Sequence, residues 1–115
     1  MAFNSPVAVE ASSAKTATGN SAAAIAIDDP GSQLALLVNV SAVSGTTPTL
    51  DLKVQWSHDG GTTWADAEAI DSFTQITAAK VVVKIFARKA PHFRLFWTIG
   101  GTTPSFTFGV TRTSH

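Results

Sequence analysis

Apolar and polar positions alternate with a period of two along most of this chain. Leu50, Leu52, Val54 and Trp56 alternate with Asp51, Lys53 and Gln55, the pattern of a strand with one buried and one wet face. Phe93, Leu95, Trp97 and Ile99 alternate with Arg94, Phe96 and Thr98, and Phe106, Phe108 and Val110 with Thr107, Gly109 and Thr111. In residues 33–43, Leu34, Leu36, Val38, Val40 and Ala42 fall on one face and Leu37 on the other. Residues 81–86 form an apolar run broken only by Lys84, and their Val and Ile content favours strand over helix. Shorter strands are predicted over 21–27, with Ala23, Ile25 and Ile27 on one face, and over 73–77. Phe86 and Phe96 lie opposite the main apolar sets of their strands. Either both faces of those strands are covered, or these residues mark a contact surface.

Turn signals separate these segments. Asp28-Asp29-Pro30-Gly31 and Ser57-His58-Asp59-Gly60-Gly61 carry the residues that tight turns require. One seven-residue unit occurs twice: Ser44-Gly45-Thr46-Thr47-Pro48-Thr49-Leu50 and Gly100-Gly101-Thr102-Thr103-Pro104-Ser105-Phe106. Each copy lies between two alternating segments, so each is expected to close a β-hairpin. Residues 1–20 are rich in Ala, Ser and Thr, with Phe3, Val7 and Val9 as their large apolar groups. They read as an extended N-terminal arm, ordered where something holds it. Residues 21–115 then form one all-β domain of about eight short antiparallel strands, a β-sandwich or jelly roll. Its three Trp and seven Phe fill the space between two sheets.

Composition narrows the function. The 115 residues suit a single domain, 44% hydrophobic and only 14% charged; average proteins carry roughly 25% charged residues. Eight acidic and eight basic side chains cancel. A neutral chain lacks the basic face that nucleic-acid binding needs, and low net charge favours association. The absence of cysteine excludes disulfides, thiolate metal sites and cysteine nucleophiles. No segment approaches the length of an apolar membrane span, and residues 1–10 lack the basic and apolar regions of a signal peptide. The expectation is a protein made in the cytoplasm, with no membrane partner.

No catalytic constellation stands out. His58, His92 and His115 share neither zinc-like nor triad-like spacing. Asp59, Asp66 and Asp71 lack the D-x-D-x-D-G pattern of a calcium loop and read as turn formers. Glu10 and Glu68 are the only glutamates, and no Asp is marked out to pair with either as a glycosidase would need. Nucleophile elbows, P-loops and dinucleotide fingerprints are missing. The expectation is a protein that is not an enzyme and uses no cofactor or metal. Trp56 and Trp97 fall on apolar faces and read as core. Trp64, just after a turn, is the tryptophan best placed to stack a sugar, so a carbohydrate-binding module is the alternative reading.

The run from Val43 to Trp64, the segment Phe73-Thr74-Gln75-Ile76-Thr77 and the closing run from Phe93 to Phe108 resemble small virion proteins of tailed-phage head-gene modules. Thr16 to Asn20 fits the same pattern, and the likeness extends over about residues 16–113. Such proteins resemble capsid decoration, or cement, proteins, with a tail or neck role as the alternative in the same class. The resemblance implies a virion structural protein on the capsid surface, a homotrimer, and the major capsid protein as partner. The expected contact residues are Phe3, Val7 and Val9 of the arm, and Thr46, Thr47, Pro48, Thr102, Thr103 and Pro104 of the two repeated loops.

Overall fold

The computed structural model describes residues 7–21, 25–26, 33–65 and 69–114. They build an all-β fold from one antiparallel sheet. Its strands are β1 (Val7–Lys15), β2 (Gly19–Asn20), β3 (Ile25–Ala26), β4 (Gln33–Ser57), β5 (Lys80–Ala87) and β6 (His92–Ser114). The strand order is β1-β6-β4-β5, with β2 and β3 also paired to β6. A one-turn 3-10 helix, Ala69–Asp71, lies between β4 and β5.

The expected pair of hairpins is not formed. β4 runs straight through the first Gly-Thr-Thr-Pro unit and β6 through the second, and the two strands pair from Leu34↔Ser114 to Ser57↔His92. The two copies therefore face each other in mid-strand, with Thr46 opposite Thr102. The pairs Ser44↔Ser105 and Thr49↔Gly100 lie on either side, and register shifts flank Thr46. The copies match in backbone as well as sequence. Gly45 and Gly101 have φ of 110° and 112°, and Thr47 and Thr103 have φ of 47° and 46°. Gly-Thr-Thr-Pro carries the same local signature whether it makes a turn or a bulge. Pairing between the copies decides the outcome here.

At this crossing the sheet folds over. A 25-residue strand would span about 80 Å if straight, yet the longest dimension of the molecule is 42 Å. Trp97 and Phe108 are eleven positions apart in β6, about 36 Å in an extended chain. Their rings nevertheless meet edge to face at 5.3 Å. Phe73 and Phe86 meet at 5.5 Å across the same fold. The alternation read from the sequence supplies the core. Leu34, Leu36, Val38 and Val40 of one half and Leu50, Leu52, Val54 and Trp56 of the other belong to one buried cluster with Phe93, Leu95, Phe106 and Phe108.

Three expectations change in detail. A register shift between Val40 and Ala42 reverses the side-chain parity, so Ala42 is exposed and Val43 packs on the core. Residues 73–77 form no ladder. They attach to β4 by reciprocal Leu50–Ile76 backbone bonds of 2.9 Å and by Phe73 N–H donating to Leu52 O. Residues 7–15 of the predicted arm are a sheet strand, β1, on the edge of β6. The sequence beyond β1 follows that same edge, where Leu95 N–H donates to Ser21 Oγ and Trp97 Nε1–H to the Ala17 carbonyl. The turn signal at 28–31 lies outside the described residues.

Candidate interaction surface

The fold leaves the sheet two outward faces, one on each side of the crease, and they differ in chemistry. On the half built from β6, β4 and β5, cross-strand register produces a grid of nine residues. Val83, Leu37 and Thr111 form one row, Ile85, Ala35 and Thr113 a second, and Val81, Asn39 and Gly109 a third. None of the nine is charged. Val81, Val83, Ile85 and Leu37 are 60%, 65%, 51% and 40% exposed. Ala8 of β1 continues the central row opposite Thr111. Two shallow hollows share Leu37 and Thr111 in their linings. Single exposed apolar residues are ordinary, but a contiguous set on one sheet face indicates a surface meant to be covered.

The strand β5 explains how this face arises. Its residues alternate strictly, and Phe86 takes the inward row at 2% exposure. Val82 packs partly on the core and Lys84 turns inward to donate to the Ser72 carbonyl at 2.7 Å. The more apolar row is therefore the one that faces out. Sequence reading set Leu37 opposite the apolar row but missed Val81, Val83 and Ile85 as surface residues. The available signal was the uninterrupted apolar run at 81–83, which supplies more apolar side chains than one buried face can use.

The other outward face is charged and aromatic. Lys53 stands opposite Phe96, Gln55 opposite Arg94 and Asp51 opposite Thr98. The Arg94 guanidinium lies 4.5 Å from the Trp64 ring centroid and its Nε donates to Gln55 Oε1 at 2.7 Å. Lys53 Nζ lies 5.3 Å from the Phe96 ring. Trp64 is thus half-buried with a cation on one face, while Trp56 and Trp97 are in the core.

No family model matches the chain, and neither does any curated protein.

The expected contact residues fall in three places. Thr46, Thr47, Thr102 and Thr103 are exposed at the crease and Pro48 and Pro104 are half-buried there, so the structure brings these six together. Val7 is exposed but pairs with Arg112, at the opposite end of β1 from the crease. Val9 is buried in the core, and Phe3 lies outside the described residues. Of the ionisable candidates, His115, Asp66 and Glu68 also lie outside. Among the described residues no three of His, Cys, Asp and Glu converge. Asp71 is buried, accepting from Trp56 Nε1 at 3.2 Å and Lys89 Nζ at 2.9 Å. Asp59 organises the 57–63 turn, accepting from the Thr62 and Thr63 amides and the Ser57 hydroxyl. The Thr63 amide above all, then the Ser57 hydroxyl, holds its carboxyl down to a pKa of about 2.

Proposed function

We propose that this chain is a structural binding protein of a virion, a capsid decoration protein that docks on the assembled shell and stabilises it. The uncharged grid on β6, β4 and β5 carries the proposal. An apolar sheet face removes water over a broad area without requiring a cleft, which suits contact with another protein's surface. The sequence resemblance to head-module virion proteins supplies the partner, the major capsid protein. The creased sheet serves as a compact β-sandwich of the jelly-roll type, and its rigidity limits the ordering cost of docking. The exposed threonines at the crease are a second contact zone, and copies spread over a shell would add their weak contacts into high avidity.

The test is co-sedimentation of the purified chain with shells assembled from the major capsid protein of the same virion. The wild-type chain is expected to sediment with the shells and to raise their melting temperature. Leu37→Glu with Thr111→Glu, at the centre of the grid, should abolish sedimentation while leaving the far-ultraviolet circular dichroism unchanged. Wild-type chain left in the supernatant, or a double variant that still binds, would overturn the proposal. The sugar-binding alternative rests on Trp64, whose ring shares one face with Arg94.

A further inference from the structure

The two edges of this sheet are built differently. β1 is bulged, with register shifts between Ala8 and Glu10 and between Glu10 and Ser13. Such irregularities block pairing with a further strand. β5 pairs with β4 from Gln33↔Ala87 to Val40↔Lys80 without a single shift. It contains no proline, and among the described residues no strand pairs with its other side. An eight-residue, β-branched, regular edge is a template for another strand. Its inward Lys84 is drawn beneath the sheet toward Ser72, so only Lys80, at the strand's first position, is left to guard the edge.

We infer that β5 pairs antiparallel with β5 of a second copy of this chain, on a two-fold axis through Val83. Three features select a second copy and this register. The uncharged grid continues across the junction only if odd-numbered residues oppose odd-numbered ones, because a one-residue slip turns the partner's face over. Among the registers that meet this condition, centring on Val82 sets Lys80 against Lys84, and centring on Lys84 sets that lysine against itself. Like charges directly opposite are unfavourable. Centring on Val83 sets Val81 against Ile85, Lys80 against Phe86 and Val82 against Lys84, so no lysine opposes a lysine. The contact is isologous, which closes after two copies and leaves no open edge for further growth.

The chain has no cysteine, so single cysteines can read the register. In Val83→Cys the two thiols lie directly opposite, where Cβ atoms are about 5 Å apart. In Val81→Cys or Ile85→Cys, like thiols are four residues apart along the pair, about 13 Å. Mild oxidation should therefore join Val83→Cys into dimers and leave each of the other two monomeric. A mixture of Val81→Cys and Ile85→Cys should cross-link. Light scattering of the wild-type chain should return the mass of two 12.0 kDa chains, and Val83→Lys, at a site already exposed, should return one. This departs from the homotrimer that the sequence resemblance implies, and a wild-type mass of one or three chains would overturn the inference. So would cross-linking no faster at position 83 than at 81 or 85. The inference is independent of shell docking: a chain that binds shells as a monomer keeps the proposed function and loses this dimer.

Discussion

Lys15 binds Phe108 twice. Its ammonium donates to the Phe108 carbonyl at 3.0 Å and stands 4.3 Å from the centroid of the ring of the same residue. The Ala11 and Ser13 carbonyls and the Ser13 hydroxyl lie within 3.3 Å, and Glu10 Oε2 at 3.4 Å. Five oxygens thus share three N–H donors. The bulge in β1 creates this arrangement. Ala11 and Ser12 together oppose Gly109, and a Cβ on Gly109 would lie 3.2 Å from the Ser12 backbone. The extra residue turns carbonyls inward, and the side chain of Lys15 fills the space and meets them.

Lys15→Met keeps the aliphatic stem and removes the ammonium. It leaves the buried Phe108 carbonyl without this donor, which costs about 1–3 kcal/mol. Urea unfolding should show a lower midpoint at unchanged slope. Glu10→Gln should cost less than about 1 kcal/mol, because its pairing is longer and partly in water. Equal losses in the two variants would show that the ion pair, not the carbonyl cage, holds β1.

The crease makes a ranked prediction about three glycines with positive φ. A Cβ at Gly45 would lie 2.8 Å from the Thr103 carbonyl oxygen, and one at Gly101 would lie 2.7 Å from that of Thr47. Nothing lies within 4 Å of a Cβ at Gly60. Gly60→Ala carries only the backbone penalty of about 1 kcal/mol. Gly45→Ala and Gly101→Ala add a clash with the opposite strand and should each lose clearly more, about 2–4 kcal/mol. Their losses should match within error, since the two sites share the same backbone conformation and meet equivalent atoms of the opposite copy. Thermal melts of the three variants give the ranking.

The alternation made the inward rows legible, because burial of one face imposes it on every second residue. Leu50, Leu52, Val54 and Trp56 are all buried as expected. The pairing partner of each strand was not legible. Gly45 and Gly101 sit 56 positions apart, and nothing local distinguishes a Gly-Thr-Thr-Pro that turns the chain from one that bends it against its own copy. The direction of β5 was not legible either. Its three consecutive valines satisfy either face, and the choice falls to Phe86, which fits against Phe73 only from inside. Asp71 and Lys15 were missed as structural groups because the buried partners that fix them, Trp56 for Asp71 and Phe108 for Lys15, come from remote segments.

Asp71 ties the 69–76 segment to β4 through the buried Trp56. Asp71→Ala removes the acceptor for both Trp56 and Lys89; Lys89 can turn to water, but the buried Trp56 indole N–H is left unpaired, which should cost about 2–3 kcal/mol. Lys89 is partly exposed, so Lys89→Met should cost less, about 1–2 kcal/mol after solvent screening. Near-ultraviolet circular dichroism of the Trp56 band reports the contact directly. Its intensity should fall in Asp71→Ala and persist in Lys89→Met.

Acid provides the last test, through Asp59. Its carboxyl is held at about 2 against an ordinary 3.8, with the Thr63 amide the largest cause. A depressed folded-state pKa means that the unfolded chain binds the proton first as pH falls. The stabilisation from Asp59 is therefore fully present above about pH 4 and is lost as pH drops toward 2. Asp59→Asn keeps an oxygen acceptor but cannot ionise. Its melting temperature should be lower than wild type at neutral pH, and the gap should narrow steadily between pH 4 and pH 2. The carboxyl carbon shift of Asp59, followed by NMR across the same range, should titrate near 2. A midpoint near 3.8 would mean that the Thr63 and Ser57 hydrogen bonds to this carboxylate do not persist in solution.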